Sequence, residues 1–239
     1  MKKITLAIVL FSVIIKAQNP LMIKEVSSSL KPTGNSAKAD LNYAKWNEKV
    51  FYSGSGSNIL CVTDGTTAGT IGISNLGGST NISTIIPAQD FVYVITSDIT
   101  FSPTASTDKI WKADGTTAGT SLVYAFQPAS GFTNMGLFYS VASHYKNYSV
   151  DGNSIYFSAY DATNGKEIWK TDGTAAGTMM LKDVKAGTGS SQTAGFCKIP
   201  STTLFIAQSI GLESKLWKTD GTTAGTEQSP VAEPFYIVN

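Results

Sequence analysis

Four aspartates, Asp64, Asp114, Asp172 and Asp220, each precede a glycine, Gly65, Gly115, Gly173 and Gly221, and lie 50, 58 and 48 residues apart. An Asp-Gly pair supports two chemistries. The carboxylate can join neighbouring carbonyls in holding Ca²⁺, or it can accept backbone N–H groups one or two residues on while the glycine takes the positive φ of a turn. Each position offers one carboxylate and lacks the D-x-[DN]-x-[DN]-G spacing of a calcium loop, so the turn is the leading reading and calcium the alternative. Residues Tyr160 to Glu167 gather more oxygens through Asp161 and Asn164, yet Asn164-Gly165 between two apolar runs reads first as a hairpin turn.

Other chemistries are thinly supplied. His144 is the only histidine, which excludes a metal centre of several imidazoles and leaves any Ser-His-Asp catalysis dependent on it. Its setting, Ser143-His144-Tyr145-Lys146-Asn147, has no nucleophile elbow, and a loop or strand-end histidine is expected. Every basic residue is a lysine. Without arginine the two-pronged grip on carboxylate or phosphate is missing, so neither sialidase-type chemistry nor nucleic-acid binding is expected. Carboxylates for glycoside hydrolysis are present in number, but none stands apart from the repeat or from a turn. The expectation is no catalytic residue, no cofactor and no enzyme. Cys61 and Cys197 occupy non-equivalent places in the repeat; they either bridge the first and fourth units or, the leading reading, are small buried apolar residues.

The aspartates belong to a longer repeat. Residues 60–70, 110–120, 168–178 and 216–226 align without gaps as an apolar residue, Trp, Lys, a small residue and then Asp-Gly-Thr-x-Ala-Gly-Thr, with Trp111, Trp169 and Trp217 in three copies and Cys61-Val62 in place of Trp-Lys in the first. Upstream of each lies a run rich in β-branched and aromatic residues: 50–52, 91–95, 155–157 and 204–206. Each predicts a strand. Further strands are expected downstream at 70–73, 121–124 and 179–184, and weaker ones around 43–46, 83–86, 138–142 and 195–199. Four strands per unit of about 50 residues predict an all-β, propeller-like tandem array of four-stranded antiparallel blades, four repeats forming a whole ring or part of one. Repeats are placed at 21–69, 70–119, 120–177 and 178–226, with 227–239 beginning a further repeat or closing the last sheet. The seven residues from Asp to the second Thr reach about 23 Å, enough to cross the roughly 14 Å from one blade's edge to the next blade's centre. Trp and the residue before it should point to opposite faces and fill the gaps on both sides of a blade. The longer third repeat implies an insertion between Gln127 and Gly152, whose Tyr139, Tyr145 and Tyr148 either form a sugar-binding patch or, the leading reading, pack.

The N-terminus sets the compartment. Lys2 and Lys3, the apolar run Ile4 to Ile15 and then Lys16-Ala17-Gln18 read as a secretory signal peptide over 1–17, leaving an exported repeat domain at 18–239. That domain keeps 15 lysines against 17 acids and is near neutral. No later stretch is long and apolar enough to predict a membrane span.

The repeated Ile/Leu-Trp-Lys-Thr-Asp-Gly-Thr-x-Ala-Gly-Thr, with Glu167 ahead of Ile168-Trp169, resembles the ELWxxDGT repeat proteins, also called hyalin-like. The resemblance covers nearly all of residues 18–239. It implies a secreted or cell-surface protein of a Gram-negative bacterium with type IX secretion, and no assigned activity. The expectation is a non-catalytic extracellular interaction or adhesion module with a protein or glycan partner. The alternative is a glycan-active propeller enzyme or a lectin-like carbohydrate-binding protein.

Overall fold

A computed structural model describes residues 43–54, 59–73, 76, 81–101, 104–126, 129–130, 147–211 and 213–230. The leader at 1–17, the strand expected at 138–142, His144, Tyr139 and Tyr145 lie outside these residues. Every regular element among the described residues is a strand, and the strands form four antiparallel sheets. Blade 1 holds β1 (Tyr43–Trp46), β2 (Lys49–Ser53), β3 (Leu60–Thr63) and β4 (Ile71–Ile73). Blade 2 holds β5 (Asn81–Pro87), β6 (Val92–Phe101), β7 (Thr104–Ala113) and β8 (Ser121–Ala125), with β9 (Ala129–Ser130) also pairing β7. Blade 3 holds β10 (Tyr148–Asp151), β11 (Ser154–Asp161), β12 (Gly165–Thr171) and β13 (Met179–Lys182). Blade 4 holds β14 (Ala194–Ile199), β15 (Thr202–Ala207), β16 (Lys215–Thr219) and β17 (Glu227–Gln228). Strands follow chain order within each sheet, which makes the molecule an all-β, propeller-like tandem repeat.

One part of the sequence reading is corrected by this topology. The Asp-Gly-Thr-x-Ala-Gly-Thr segment does not cross between blades; it is the hairpin joining the third and fourth strands of one blade, as Trp111 pairs with Leu122 and Lys218 with Glu227. The crossings come one strand later, after β4, β8 and β13. The sheets are therefore offset by one strand from the repeats as divided in the sequence. A repeat has a period but no marked beginning, and the pairing of β3 with β4 supplies the missing phase.

The alternation of side chains decides where the cores sit. Trp111 pairs with Val94 and Ile110 with Ile95, so each pair shares one face of blade 2. Trp111 and Val94 join Phe51 and Leu60 in a cluster between blades 1 and 2. Ile110 and Ile95 join Phe157 and Trp169 in a second, between blades 2 and 3. Ile168 and Tyr156 join Phe205 and Trp217 in a third, between blades 3 and 4. The described core thus lies in three seams between sheets, and in blades 2 and 3 the Trp and its preceding residue fill opposite gaps as expected. Trp46 packs edge-on against Phe51 in the first seam and does not stand in for the indole missing at Cys61, which faces the other side of blade 1. Both cysteines are free, Cys61 buried and Cys197 exposed. Tyr148 is half-buried against the second cluster, as packing requires.

Because neighbouring strands run antiparallel, the connections fall at two ends. The turn end carries the four Asp-Gly turns and the first hairpins of each blade, such as Asn47-Glu48. The connection end carries the second hairpins, including 162–164, and the crossings, including 183–193.

Candidate functional site

At the turn end the four aspartates make the same bonds. Asp64 Oδ1 accepts the Thr66 backbone N–H at 2.8 Å and the Thr66 hydroxyl at 2.7 Å. The same hydroxyl accepts the Gly69 N–H at 2.9 Å, and Thr70 Oγ1 donates to the Thr66 carbonyl at 2.6 Å. Asp114, Asp172 and Asp220 repeat the carboxylate bonds within 0.1 Å. These threonine donors, the hydroxyl first and the backbone N–H with it, hold the Asp64, Asp172 and Asp220 carboxyls below the usual carboxylate range.

Both glycines of the signature have a local cause. Gly65, Gly115, Gly173 and Gly221 have φ of 88°, 91°, 87° and 89°, the left-handed region that a side chain resists. The second glycines, Gly69, Gly119, Gly177 and Gly225, lie under the carboxylate; a Cβ there would fall inside the Asp64, Asp114, Asp172 or Asp220 side chain. A hydroxyl pair closes three of the turns, Thr63 with Thr70, Thr171 with Thr178 and Thr219 with Thr226, at 2.6 to 2.7 Å. Ala113 stands at that place in blade 2.

These turns also key the seams. A Cβ on Gly115 would come within 3.3 Å of Phe51, one on Gly173 would strike Phe91, and one on Gly221 would meet the Tyr156 hydroxyl at 2.6 Å. The signature lysine completes the contact. Lys112 Nζ stands 6.0 Å from the Phe91 ring centre and Lys170 Nζ 6.0 Å from that of Tyr156, and Lys170 also donates to the Gly221 carbonyl at 3.4 Å. The four aspartates are therefore distributed over separate turns, each carboxylate engaged by its own threonine. Among the described residues no group of three or more His, Cys, Asp or Glu could hold a metal ion.

The connection end is built differently, from residues without a repeat. Asp98 pairs with Lys109 across the long β6–β7 hairpin, with side chains 28% and 22% exposed. Asp98 Oδ1 is buried with no hydrogen-bond partner among the described residues. On the opposite face of the same hairpin, buried Asp108 accepts the Ser97 hydroxyl at 2.5 Å. Burial pushes the Lys166 amine down, and the charge of Asp108 opposes that shift.

Beside it lies a knot around Glu167, which is wholly buried. Its carboxylate accepts the Val184 N–H at 2.8 Å and the Ser191 N–H at 3.1 Å, holding both ends of the 183–193 crossing. Ser191 in turn accepts the Gln208 N–H from blade 4 at 2.7 Å. Burial pushes the Glu167 carboxyl up to about 7, against the pull of its N–H donors and with a small addition from Asp183. Sequence reasoning quoted Glu167 in the signature and in the oxygen-rich segment Tyr160 to Glu167, without a role of its own, and did not single out Asp98, Lys109, Asp108 or Lys166. Asp98, Asp108 and Lys109 lie on the long β6–β7 hairpin, where Ile95 is followed by Thr-Ser-Asp and polar residues outnumber Ile99 and Phe101, and Lys166 follows the turn that opens β12.

No protein-family model matches the chain, and no curated protein matches it. Solved structures do. A puromycin hydrolase is similar with 14% identity and a TM-score of 0.45 over 75% of this chain and 28% of that one. An α-L-arabinanase of Penicillium chrysogenum complexed with arabinobiose shows 9% identity and a TM-score of 0.44 over 79% of this chain and 65% of that one. An α-L-arabinofuranosidase of Fusarium graminearum in complex with an iminosugar inhibitor shows 10% and 0.41 over the same shares, 79% and 65%. The chain thus spans less than two thirds of the length of each. The main expectation of a non-catalytic interaction or adhesion module is corrected here: two of these structures are carbohydrate enzymes, which is nearer to the alternative, a glycan-active or lectin-like propeller, than to that expectation. At such identities the likeness is one of fold, and the chemistry of this chain must come from its own residues.

Proposed function

We propose that this chain is an exported, lectin-like carbohydrate-binding protein of the ELWxxDGT-repeat type, with its sugar site at the connection end around Asp98 and Lys109. The supporting observation is the Asp98 carboxylate, which has one oxygen on Lys109 and the other buried without a donor among the described residues. A buried acceptor left unfilled is costly, and the Asp98 side chain, 28% exposed as a whole, has only to turn to offer that oxygen to a sugar hydroxyl, a donor of the right kind. A carboxylate beside an ammonium also matches the mixed donors and acceptors of a diol.

Binding without turnover is the reading favoured by strand geometry. Asp98 pairs with Thr107 and Ser97 with Asp108, so the two carboxylates of the hairpin leave opposite faces of the sheet. Glycoside hydrolysis needs two carboxyl groups flanking one bond. A glycan-array screen of the purified protein, followed by titration calorimetry on the best ligand, tests the proposal. Asp98→Asn is expected to weaken binding about tenfold or more, the loss of a charge-assisted hydrogen bond. Absence of binding to every glycan on the array refutes the sugar site, and release of a product from any of them refutes binding without turnover.

A further inference from the structure

The three seams share one construction. The second strand of one blade presents Phe51, Tyr93 or Tyr156, and these are 0%, 0% and 3% exposed beneath the next blade. Beside them, Leu60, Ile110 and Ile168 of the third strand are all fully buried. Blade 4 presents the same face with Leu204 and Leu216 at the equivalent positions and Ile206 between them, as the register Phe205↔Trp217 and Ile206↔Leu216 shows. All three are half-buried, and none belongs to the described clusters.

Among the described residues, the complementary half of a seam is uncovered at the other end of the array. Gly115 and Gly173 are buried against the preceding blade, but Gly65 is exposed, and a Cβ added to it would meet nothing within 4 Å. The Asp64 turn is nevertheless formed with the same bonds as the others. On that face the bulk is moved from one strand to the next. Where Trp111, Trp169 and Trp217 pair with Val94, Phe157 and Phe205, Cys61 pairs with Tyr52, so the pair still presents an aromatic ring.

From this repeated geometry we propose that the chain associates head to tail with a second copy of itself, the face of blade 4 around Leu204, Ile206 and Leu216 receiving Tyr52 and the Gly65 turn of the partner's blade 1. The occupant is set by continuity with the three seams within the chain: the face fits a blade bearing an Asp-Gly turn, and blade 1 carries one with its glycine uncovered. The contact is heterologous, so two different surfaces meet, and copies close into a ring or extend according to the rotation between them.

Sedimentation equilibrium of the full chain between about 1 and 100 μM, the range where a seam-sized apolar contact reports, tests this. The wild type is expected to self-associate, while Leu204→Asp/Leu216→Asp and Tyr52→Asp each sediment as monomers. Mixed together, those two variants are expected to form one-to-one pairs only, because each keeps one intact half. Circular dichroism checks that each variant keeps its strands, and Leu204→Ser/Leu216→Ser replaces the aspartates if they disturb the sheet. A wild type that stays monomeric throughout, folded variants that assemble like it, or a mixture that gives no pairs would each overturn the proposal.

Discussion

The turn end and the connection end hold the same sheets together by opposite means. At the turn end the contacts that repeat are local: an aspartate, a threonine two residues on and a glycine three beyond that, four times over. At the connection end the contacts that tie strands and crossings together occur once and span many residues, as when Glu167 reaches Val184 and Ser191. Local bonds can be copied with the segment that contains them, so repetition marks scaffolding here. The residues available for recognition lie where the copies differ.

The sharpest way to separate the ends is pH. Glu167 has a folded pKa of about 7 against 4.5 for an ordinary glutamate, so the folded state binds the proton more tightly. Its contribution to stability is fully present below about pH 4.5 and is lost as pH rises through 7, on the order of 3 kcal/mol over the whole range. Chemical denaturation at pH 5 and pH 8 should show that fall, and Glu167→Gln should flatten it. The turn end has the reverse sign. Asp64, Asp172 and Asp220 have lowered pKa values, so what they contribute is present above 3.8 and is lost only as pH falls through their folded values. A profile in which the Glu167→Gln variant keeps the wild-type slope between pH 5 and 8 would break this contrast.

Next in size is the second glycine. Gly177→Ala forces the Asp172 carboxylate from its place and with it two hydrogen bonds, for a loss of about 2 kcal/mol in urea denaturation. In an Asp172→Ala background the same change should cost much less, since the space is then empty. Equal costs in both backgrounds would mean that the carboxylate is not the cause.

The indoles give a smaller effect. Trp111 Nε1 donates to Thr96 Oγ1 at 3.0 Å, whereas Trp169 and Trp217 have buried Nε1 atoms with no partner among the described residues, Ala159 and Ala207 standing where Thr96 does. Thr96→Val should therefore lower stability by about 1–2 kcal/mol by leaving a third indole unsatisfied, and thermal melting would read it. The smallest change expected is a gain. Ala113→Thr supplies the hydroxyl that blade 2 lacks and should add about 0.5–1 kcal/mol if it reaches Thr120 as Thr63 reaches Thr70 at 2.7 Å.

Much of this fold is legible in the sequence because its signals are short-range. Val50 to Tyr52 and Ile155 to Phe157 announce strands by composition, and Asp-Gly announces turns by stereochemistry. The role of each second glycine is hidden, because the i to i+5 contact with aspartate appears only when the turn is built. The strand expected at 83–86 is found at Asn81–Pro87, while the first strand of blade 3 lies at Tyr148–Asp151. The phase of the repeat was not legible, since Ile71 to Ile73 pair as well with a preceding strand as with a following one until the register is known. Nor were the knot and the candidate sugar site, whose members join only through crossings and a hairpin of unpatterned residues.

The placement of the apolar clusters between sheets has a consequence for how this chain can fail. No sheet owns an interior, so excising any single one would leave two half-interiors exposed and nothing for it to fold upon. Unfolding should then spread from neighbour to neighbour, and damage at Phe205 would be felt first in the tryptophan and tyrosine that flank it. Cohesion in such a molecule behaves like that of an arch, in which each stone stands only because of the next.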